Sequence, residues 1–527
     1  MGLQSEPVTL SAEEFTSLVR SCAHLPPKLV VTGTVELAFL GSLFRDVDTL
    51  CVDGSLTLTD CPEMDALPRQ LLVKRSFWLR HALKLAQGPR KLLVLGSVHV
   101  LNCPMLQSLA GYLNTGKSLD VTRCASLRSL PAGAQIGSDI MLEDCPALES
   151  LGGLAETNGT LVITRCGLRE FSPQAVGGSL TLRELPLLER LSPQLHVGAD
   201  TSSSLSWKQQ GLRYIFSRLG NLDVCRCDRL RMLSDRLTID GTVDVESCAR
   251  MECLCGSLLA LGDLQLRDNR SLSRIGTRVT VRGACRIEDC PDLVEFPNRI
   301  SVGGVFTTSP LPKLKSLGAD TRVGGTLDLS NLTSLSELPE ALQVGHDLIL
   351  RGLRSLTRLP QRLVLGGRID VTETGLTEAP GYEDRILWRG IPVSAKTAFH
   401  PETLTIEEIW KTEDLATREI MLHRFTYERF ITKTSPELLD EDVDRGGERR
   451  LLRVTFHNTR LRNTLRHRGR NVWEPRDISL VCLSVQCPST GALYIMRVPP
   501  EMQTCGQAAA WIAGFDNPDE YRPEVET

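Results

Sequence analysis

V-G-G-T-L-D-L-S-N-L-T-S-L-S-E-L-P-E-A-L, residues 323–342, is followed directly by Val344–Leu363, which repeats it almost position for position. Leu327 and Leu329 alternate, Leu332 stands three residues further on, and Leu335, Leu338 and Leu342 follow, with Pro339 after the third of these and a glycine pair at the restart. The alternation predicts a short strand with one face in a core. The fixed period of 21 residues predicts a solenoid, in which one coil buries its apolar face against the next.

Working outward from Leu332, the same register reaches most of the chain. Its marks are Leu40, Cys61, Ala82, Cys103, Cys124, Cys145, Cys166, Leu185, Ser206, Cys227, Cys248, Asn269, Cys290, Leu311, Leu332, Leu353 and Thr374, and every step is 21 except the 19 from Cys166 to Leu185. Cysteine is therefore one letter of the repeat. The ladder slot reads as an inward position for a small or apolar side chain, which a reduced thiol fills well. Parallel strands one coil apart at about 4.8 Å would give a stack on the order of 80 Å long. The glycine pairs (Gly303-Gly304, Gly324-Gly325, Gly366-Gly367) predict a tight bend or a positive φ before the strand. Prolines such as Pro131, Pro297 and Pro360 predict irregular returns, and pairs such as Leu342 and Val344 allow a second short strand per coil.

The L-x-L-x-x-C core with its following L-x-x-L-P resembles leucine-rich repeats, above all the short bacterial type. The flanking apolar positions fall one residue further out than in that family (Val323 and Leu335 about Leu332). A horseshoe and a rectangular β-solenoid both remain open. The fold class expected is a repeat solenoid of parallel β-strands with irregular returns, followed by a small α+β C-terminal domain. Residues 1–33 form an N-terminal helical cap, residues 34–383 the solenoid, residues 384–402 a linker or terminal cap, and residues 403–527 the C-terminal domain. In the cap, Ser11 and Glu14 read as a capping box opening a helix from Ala12. In the tail, 405–410 and 414–425 have helical spacing, Phe430-Ile431 reads as a short strand, and strands are expected at 451–454, 480–485 and 494–498. A helix follows from Cys505 with Thr504 as its N-cap. The tail resembles an uncharacterised domain at the C-terminus of bacterial proteins through Leu439-Asp440-Glu441-Asp442, the turn from Cys487, Arg497-Val498-Pro499-Pro500 and Ala508-Ala509-Ala510-Trp511, and that resemblance implies no activity.

A net charge of −4 over 527 residues carries no global field toward nucleic acid or membrane. No signal peptide or membrane span is legible, so a cytoplasmic location is expected. Catalytic signatures are scarce: no P-loop, G-x-G-x-x-G after a strand, H-E-x-x-H or G-x-S-x-G occurs. Cys225-Arg226-Cys227 and Cys253-Leu254-Cys255 lack the further ligands a zinc site needs, and neither metal nor cofactor is expected. A cysteine-dependent enzyme built on Cys482, Cys487 or Cys505 with His457 or His467 is a remote alternative. Residues 449–476 hold nine arginines against one acid. Of these, Arg460, Arg462, Arg466, Arg468 and Arg470 are candidates for binding nucleic acid or another anionic partner, with a solvated loop as the plain alternative. Trp78 and Trp207 sit in degenerate coils and are either drift or partner-binding aromatics. The function expected is a non-enzymatic scaffold that binds a protein partner on the solenoid face.

Overall fold

The computed structural model describes residues 6–21, 24–198, 220–444, 447–460, 475–486 and 492–515. The chain forms two compact units, residues 1–367 and 368–527. The repeat folds as a parallel β-solenoid of about 17 turns at a spacing of ~21 residues. Each coil contributes two short strands rather than one. Thr49–Val52 is followed by Leu56–Thr59, and one coil later Gln70–Val73 by Phe77–Arg80. Both kinds pair in parallel with their equivalents, Leu50 beside Leu71 and Leu56 beside Phe77. The first strand buries its second and fourth residues and the second strand its first and third. Leu50, Val52, Leu56 and Leu58 thus meet in the interior of one coil, fully excluded from solvent.

The first strands form a 7-stranded sheet from Val8–Ser11 to Gln135–Ile136 and a 10-stranded sheet from Glu156–Thr157 to Val364–Leu365. The second strands make one ladder from Val35–Ala38 to Leu348–Ile349. A third run closes each coil through a tight turn, as where Leu106 N–H donates to the Cys103 carbonyl at 3.1 Å, and single bridges such as Ser108 with Ser129 join successive coils there.

The residue before the ladder slot is left-handed in nearly every described coil: Asp60 at φ 50°, Asn102 at 54°, Asp144 at 53°, Asn331 at 64° and Gly352 at 76°. That conformation costs most L-residues about 1–2 kcal/mol, and Asp, Asn and Gly bear it best. It swings the ladder side chain inward, where it donates to the carbonyl two residues back. Cys61 Sγ reaches Thr59 O at 3.3 Å, Cys145 Sγ reaches Glu143 O at 3.4 Å and Cys290 Sγ reaches Glu288 O at 3.4 Å. Asn269 keeps this pattern with Nδ2 on Arg267 O at 3.1 Å, adds Val245 O at 2.9 Å, and accepts the Cys248 N–H at 3.0 Å. The slot therefore takes hydrogen-bond donors as well as apolar bulk, where the sequence suggested a small or apolar side chain.

The corner glycines serve close approach more than unusual φ. A Cβ on Gly54 would stand 2.3 Å from the Gly33 carbonyl oxygen, and one on Gly325 would stand 2.6 Å from the Gly304 carbonyl carbon.

One expected rung is absent from the stack. Leu180–Arg183 pairs directly with Leu222–Cys225, and Val197 pairs with Ile239, so the register steps by 42 residues here. Gln194–Val197 and Leu222–Cys225 are the two strands of one coil, and residues 199–219 of the sequence fall between Gly198 and Gly220. Ser206 and Trp207 lie outside the described residues. The inserted stretch is as long as one coil, which is why indexing by 21 counted it as a rung.

At the N-terminus, Ser11 Oγ accepts the Glu14 N–H at 3.2 Å and Ser11 N–H donates to Glu14 Oε2 at 2.7 Å, the expected capping box. The helix Ala12–Arg20 buries Phe15 and Val19 and packs on Val35–Ala38.

In the second unit, helices Ile406–Lys411, Leu415–Phe425 and Tyr427–Lys433 precede a 4-stranded antiparallel sheet in chain order, Glu437–Asp444, Gly447–Arg460, Pro475–Gln486 and Leu493–Val498. The strand expected at Phe430-Ile431 is helix instead. Thr426 Oγ1 caps it by accepting the Arg429 N–H, and Phe430 packs edge-on against Phe425 at 6.5 Å. One sheet face buries Val454, Leu480 and Cys482 under these helices, while the other buries Leu451, Val481 and Leu483 under helix Cys505–Ile512.

Candidate functional site

Outward side chains of the solenoid recur at the coil spacing, so opposite charges one coil apart meet across neighbouring strands. Lys313 pairs with Asp292 at 2.6 Å, and Arg165 with Asp144 at 2.5 Å while also reaching Glu143; at the same spacing the His81 ring hydrogen-bonds Asp60 at 2.6 Å. The Arg165 guanidinium holds the Asp144 carboxyl below the usual carboxylate range, against the opposing effect of burial.

Trp78 stands half-buried on the outward face of strand Phe77–Arg80. Its ring stacks on His99, one coil along, with centroids 3.6 Å apart and planes 11° apart, and the Arg80 guanidinium lies 4.7 Å from its centroid. His99 in turn stands 3.5 Å from Asp120. The Trp78 ring faces are thus engaged inside the solenoid surface.

The Arg-rich segment begins on strand Gly447–Arg460, and three of its arginines, Arg449, Arg450 and Arg453, are bound to the acidic strand beside it. Arg449 is buried with Nε on Asp442 Oδ1 at 2.7 Å and Nη2 on Asp442 Oδ2 at 2.8 Å. Arg450 pairs with Glu441 at 2.8 Å, and Arg453 lies 3.7 Å from Glu437. The Arg460 backbone pairs with Pro475 at the strand end. Its side chain, and Arg462, Arg466, Arg468 and Arg470 entirely, lie outside the described residues.

Of the three candidate nucleophiles, Cys482 and Cys505 are fully buried and Cys487 lies outside the described residues. Burial pushes both described thiols up to about 12, so they are protonated at neutral pH. Asp440, Asp442 and Cys505 offer ligand atoms within 4.8 Å of one another. Asp440 Oδ2, however, accepts the Cys505 N–H at 2.7 Å, and both Asp442 oxygens are held by Arg449. These groups join the final helix to the sheet. In the first C-x-C pair Cys227 is a ladder residue whose thiol reaches Cys225 O at 3.7 Å, while Cys225 is half-exposed on the strand before it; in the second, the buried Cys253 and Cys255 thiols donate to Cys255 O at 3.3 Å and to Ile275 O at 3.6 Å.

A groove of about 810 Å³ runs along successive coils past Phe296, Leu317, Leu338 and Pro360, bordered by Glu295, Glu337, Glu340 and Arg358. In the second unit a cavity of about 380 Å³ lies among Trp388, Phe399, His423 and Arg424, with the Arg424 guanidinium 4.1 Å from the Trp388 ring centroid. No helix among the described residues is long and apolar enough to cross a membrane. Neither family models, nor curated proteins, nor solved structures contain a match to this chain.

Proposed function

We propose that the chain is a non-enzymatic scaffold whose solenoid presents an outward face to a protein partner. The observation that carries this reading is the register itself. Coil after coil places outward side chains at the same strand positions, with Trp78 beside His99 and Asp120 beside Met141, which makes a long, fixed display surface of the kind repeat proteins use for binding. The resemblance to leucine-rich repeats supports it, as does the engagement of Arg449, Arg450, Arg453 and the described thiols of the tail in structural contacts. The test is a photo-crosslink map, with a photoreactive residue placed in turn at outward solenoid positions and at exposed tail positions of the full chain. Protein adducts concentrated on one solenoid face support the reading. Adducts confined to the tail, or a measured turnover without protein adducts, overturn it.

A further inference from the structure

Between residues 66 and 119 the chain carries eight Lys and Arg and not one Asp or Glu, within a protein whose net charge is −4. The solenoid gathers five of these cations along one strand ladder and its corner. Gln70, Lys91 and Tyr112 are neighbours in register along the first-strand ladder, so Arg69 and Arg90, each one residue earlier, are neighbours too. At the far end of the same strands, Gly96 N–H donates to Arg75 O at 2.9 Å and Lys117 N–H to Gly96 O at 3.1 Å, which places Arg75 and Lys117 on one corner. Two coil spacings, about 10 Å, separate that pair along the stack, and a four-residue strand of about 13 Å separates the two rows of cations. Arg69, Arg75, Arg90, Lys91 and Lys117 are all exposed, and none has an ion-pair partner among the described residues. Lys74, by contrast, is tied to Asp53 at 2.6 Å.

Between the rows the surface is largely apolar, interrupted by half-buried Asn114 and by ion-paired Lys74. Leu72 and Leu93 are half-buried and point outward, Tyr112 is 36% exposed, and Leu95 is 69% exposed. An apolar centre inside a charged rim is the anatomy of a protein-binding patch. Single-stranded nucleic acid would need open ring faces for its bases. Tyr112 Oη is directed to Gln135 at 3.4 Å, and the rings on the adjoining face, Trp78 and His99, are already stacked on each other.

We propose that this face, from Arg69 to Lys117, docks an acidic segment of a partner protein that alternates carboxylates with aliphatic side chains. The carboxylates meet the two cation rows, and the aliphatics cover Leu72, Leu93 and Leu95. The proposal rests on the scaffold reading and assigns that scaffold its partner chemistry.

The test uses the full chain and fluorescence anisotropy with three labelled probes: a peptide of Glu-Leu-Glu repeats, polyglutamate of equal length, and oligo-dT. The expected order has the Glu-Leu-Glu peptide tightest, with its affinity falling as salt rises. Arg90→Glu with Lys91→Glu should weaken it at least about tenfold, and Leu95→Ser about threefold. Arg278→Glu, in the strand position of Lys91 much further along the solenoid, should leave it unchanged. The charge and apolar variants act through different contacts, so misfolding of one leaves the other decisive. Unchanged affinity in both, no binding of the peptide, or oligo-dT or polyglutamate binding as tightly as the mixed peptide overturns the proposal. Those results would remove this face alone, because the crosslink map decides the scaffold reading separately.

Discussion

Coils with cysteine in the ladder slot and coils with leucine there solve one problem in two ways. In the Cys145 coil the second strand is four residues long, Ile140–Glu143, and the thiol donates back to the Glu143 carbonyl. In the Leu332 coil the strand is only Leu327–Asp328, and the turn is closed by the backbone and the Asp328 side chain, with Leu332 N–H on Leu329 O at 3.4 Å and Ser330 N–H on Asp328 Oδ1 at 2.9 Å. The Leu353 coil likewise has a two-residue strand, Leu348–Ile349, and a Leu353 N–H to Leu350 O bond of 3.2 Å. Leu185 follows a four-residue strand, so bulk in the slot does not by itself shorten the strand. Both kinds of coil keep the left-handed residue before the slot, Asp144 in one and Asn331 in the other. The shared backbone turn defines the fold, and the slot residue decides who satisfies the turn's carbonyls.

The comparison breaks most sharply at Asn269, which behaves as a cysteine coil with extra bonds. Asn269→Leu removes the Asn269 bonds to the Val245 and Arg267 carbonyls, of which the latter still accepts the Ser247 N–H at 3.0 Å, and leaves the buried Cys248 N–H without its acceptor, a loss of about 3 kcal/mol in denaturant unfolding. Asn269→Cys keeps a donor and should cost about 1 kcal/mol. Equal effects of the two would show that the slot reads volume only. Next in size, Cys145→Leu should overpack a thiol coil by about 2 kcal/mol, and Leu332→Cys should leave a cavity costing about 1–2 kcal/mol. A free exchange in both directions would make the two coil types equivalent. The left-handed position gives a smaller effect common to both regions. Asn102→Val should cost about 1–2 kcal/mol and Asn102→Gly only a few tenths, and equal melting of the two variants would contradict the strain.

Native thiol labelling sharpens the same contrast without perturbing stability. The ladder thiols Cys61 to Cys290 are 0–2% exposed, and burial pushes Cys290 up to about 11. Among the described thiols, half-exposed Cys51 and Cys225 should therefore react first with a maleimide, with ladder thiols and Cys482 and Cys505 reacting only on unfolding. Fast native labelling of Cys482 or Cys505 would restore the enzymatic alternative.

How much of this was legible follows from what each signal depends on. Strand positions were legible because alternation and period are local and repeated, and the first strand of each coil showed through pairs such as Leu342 and Val344. The slot's donor role was not, because cysteine reads as apolar until the carbonyl it faces is placed. The left-handed column left a trace in Asp60, Asn102, Asp144, Asp268 and Asn331, one residue before the slot, yet Phe39, Arg123 and Arg165 in the same column hide it. The inserted stretch was disguised by having the length of one coil. Phe430-Ile431 read as strand because two apolar neighbours have no period of their own, and the Thr426 cap decided for helix. The cationic face from Arg69 to Lys117 escaped notice because charge was weighed over the whole chain, whereas a count per coil exposes it.

The smallest effect concerns the ion pairs that lace the thiol coils. Asp144, hydrogen-bonded by Arg165 and attracted by Arg165 and Arg123, has its folded-state pKa depressed. Such a group adds stability that is present above the unfolded carboxylate value, near ~3.9, and is lost as pH falls through the lower folded value. Because the pair is largely solvated, the gain stays below about 1 kcal/mol and shrinks with salt. Carboxyl-resolved NMR titration should place Asp144 below the ordinary aspartate midpoint, and Arg165→Met should move it upward while leaving the backbone turn intact. An unmoved Asp144 would mean that the left-handed turn alone sets its environment. The ion-pair ladder would then be decoration on a fold held by its slot and its strands.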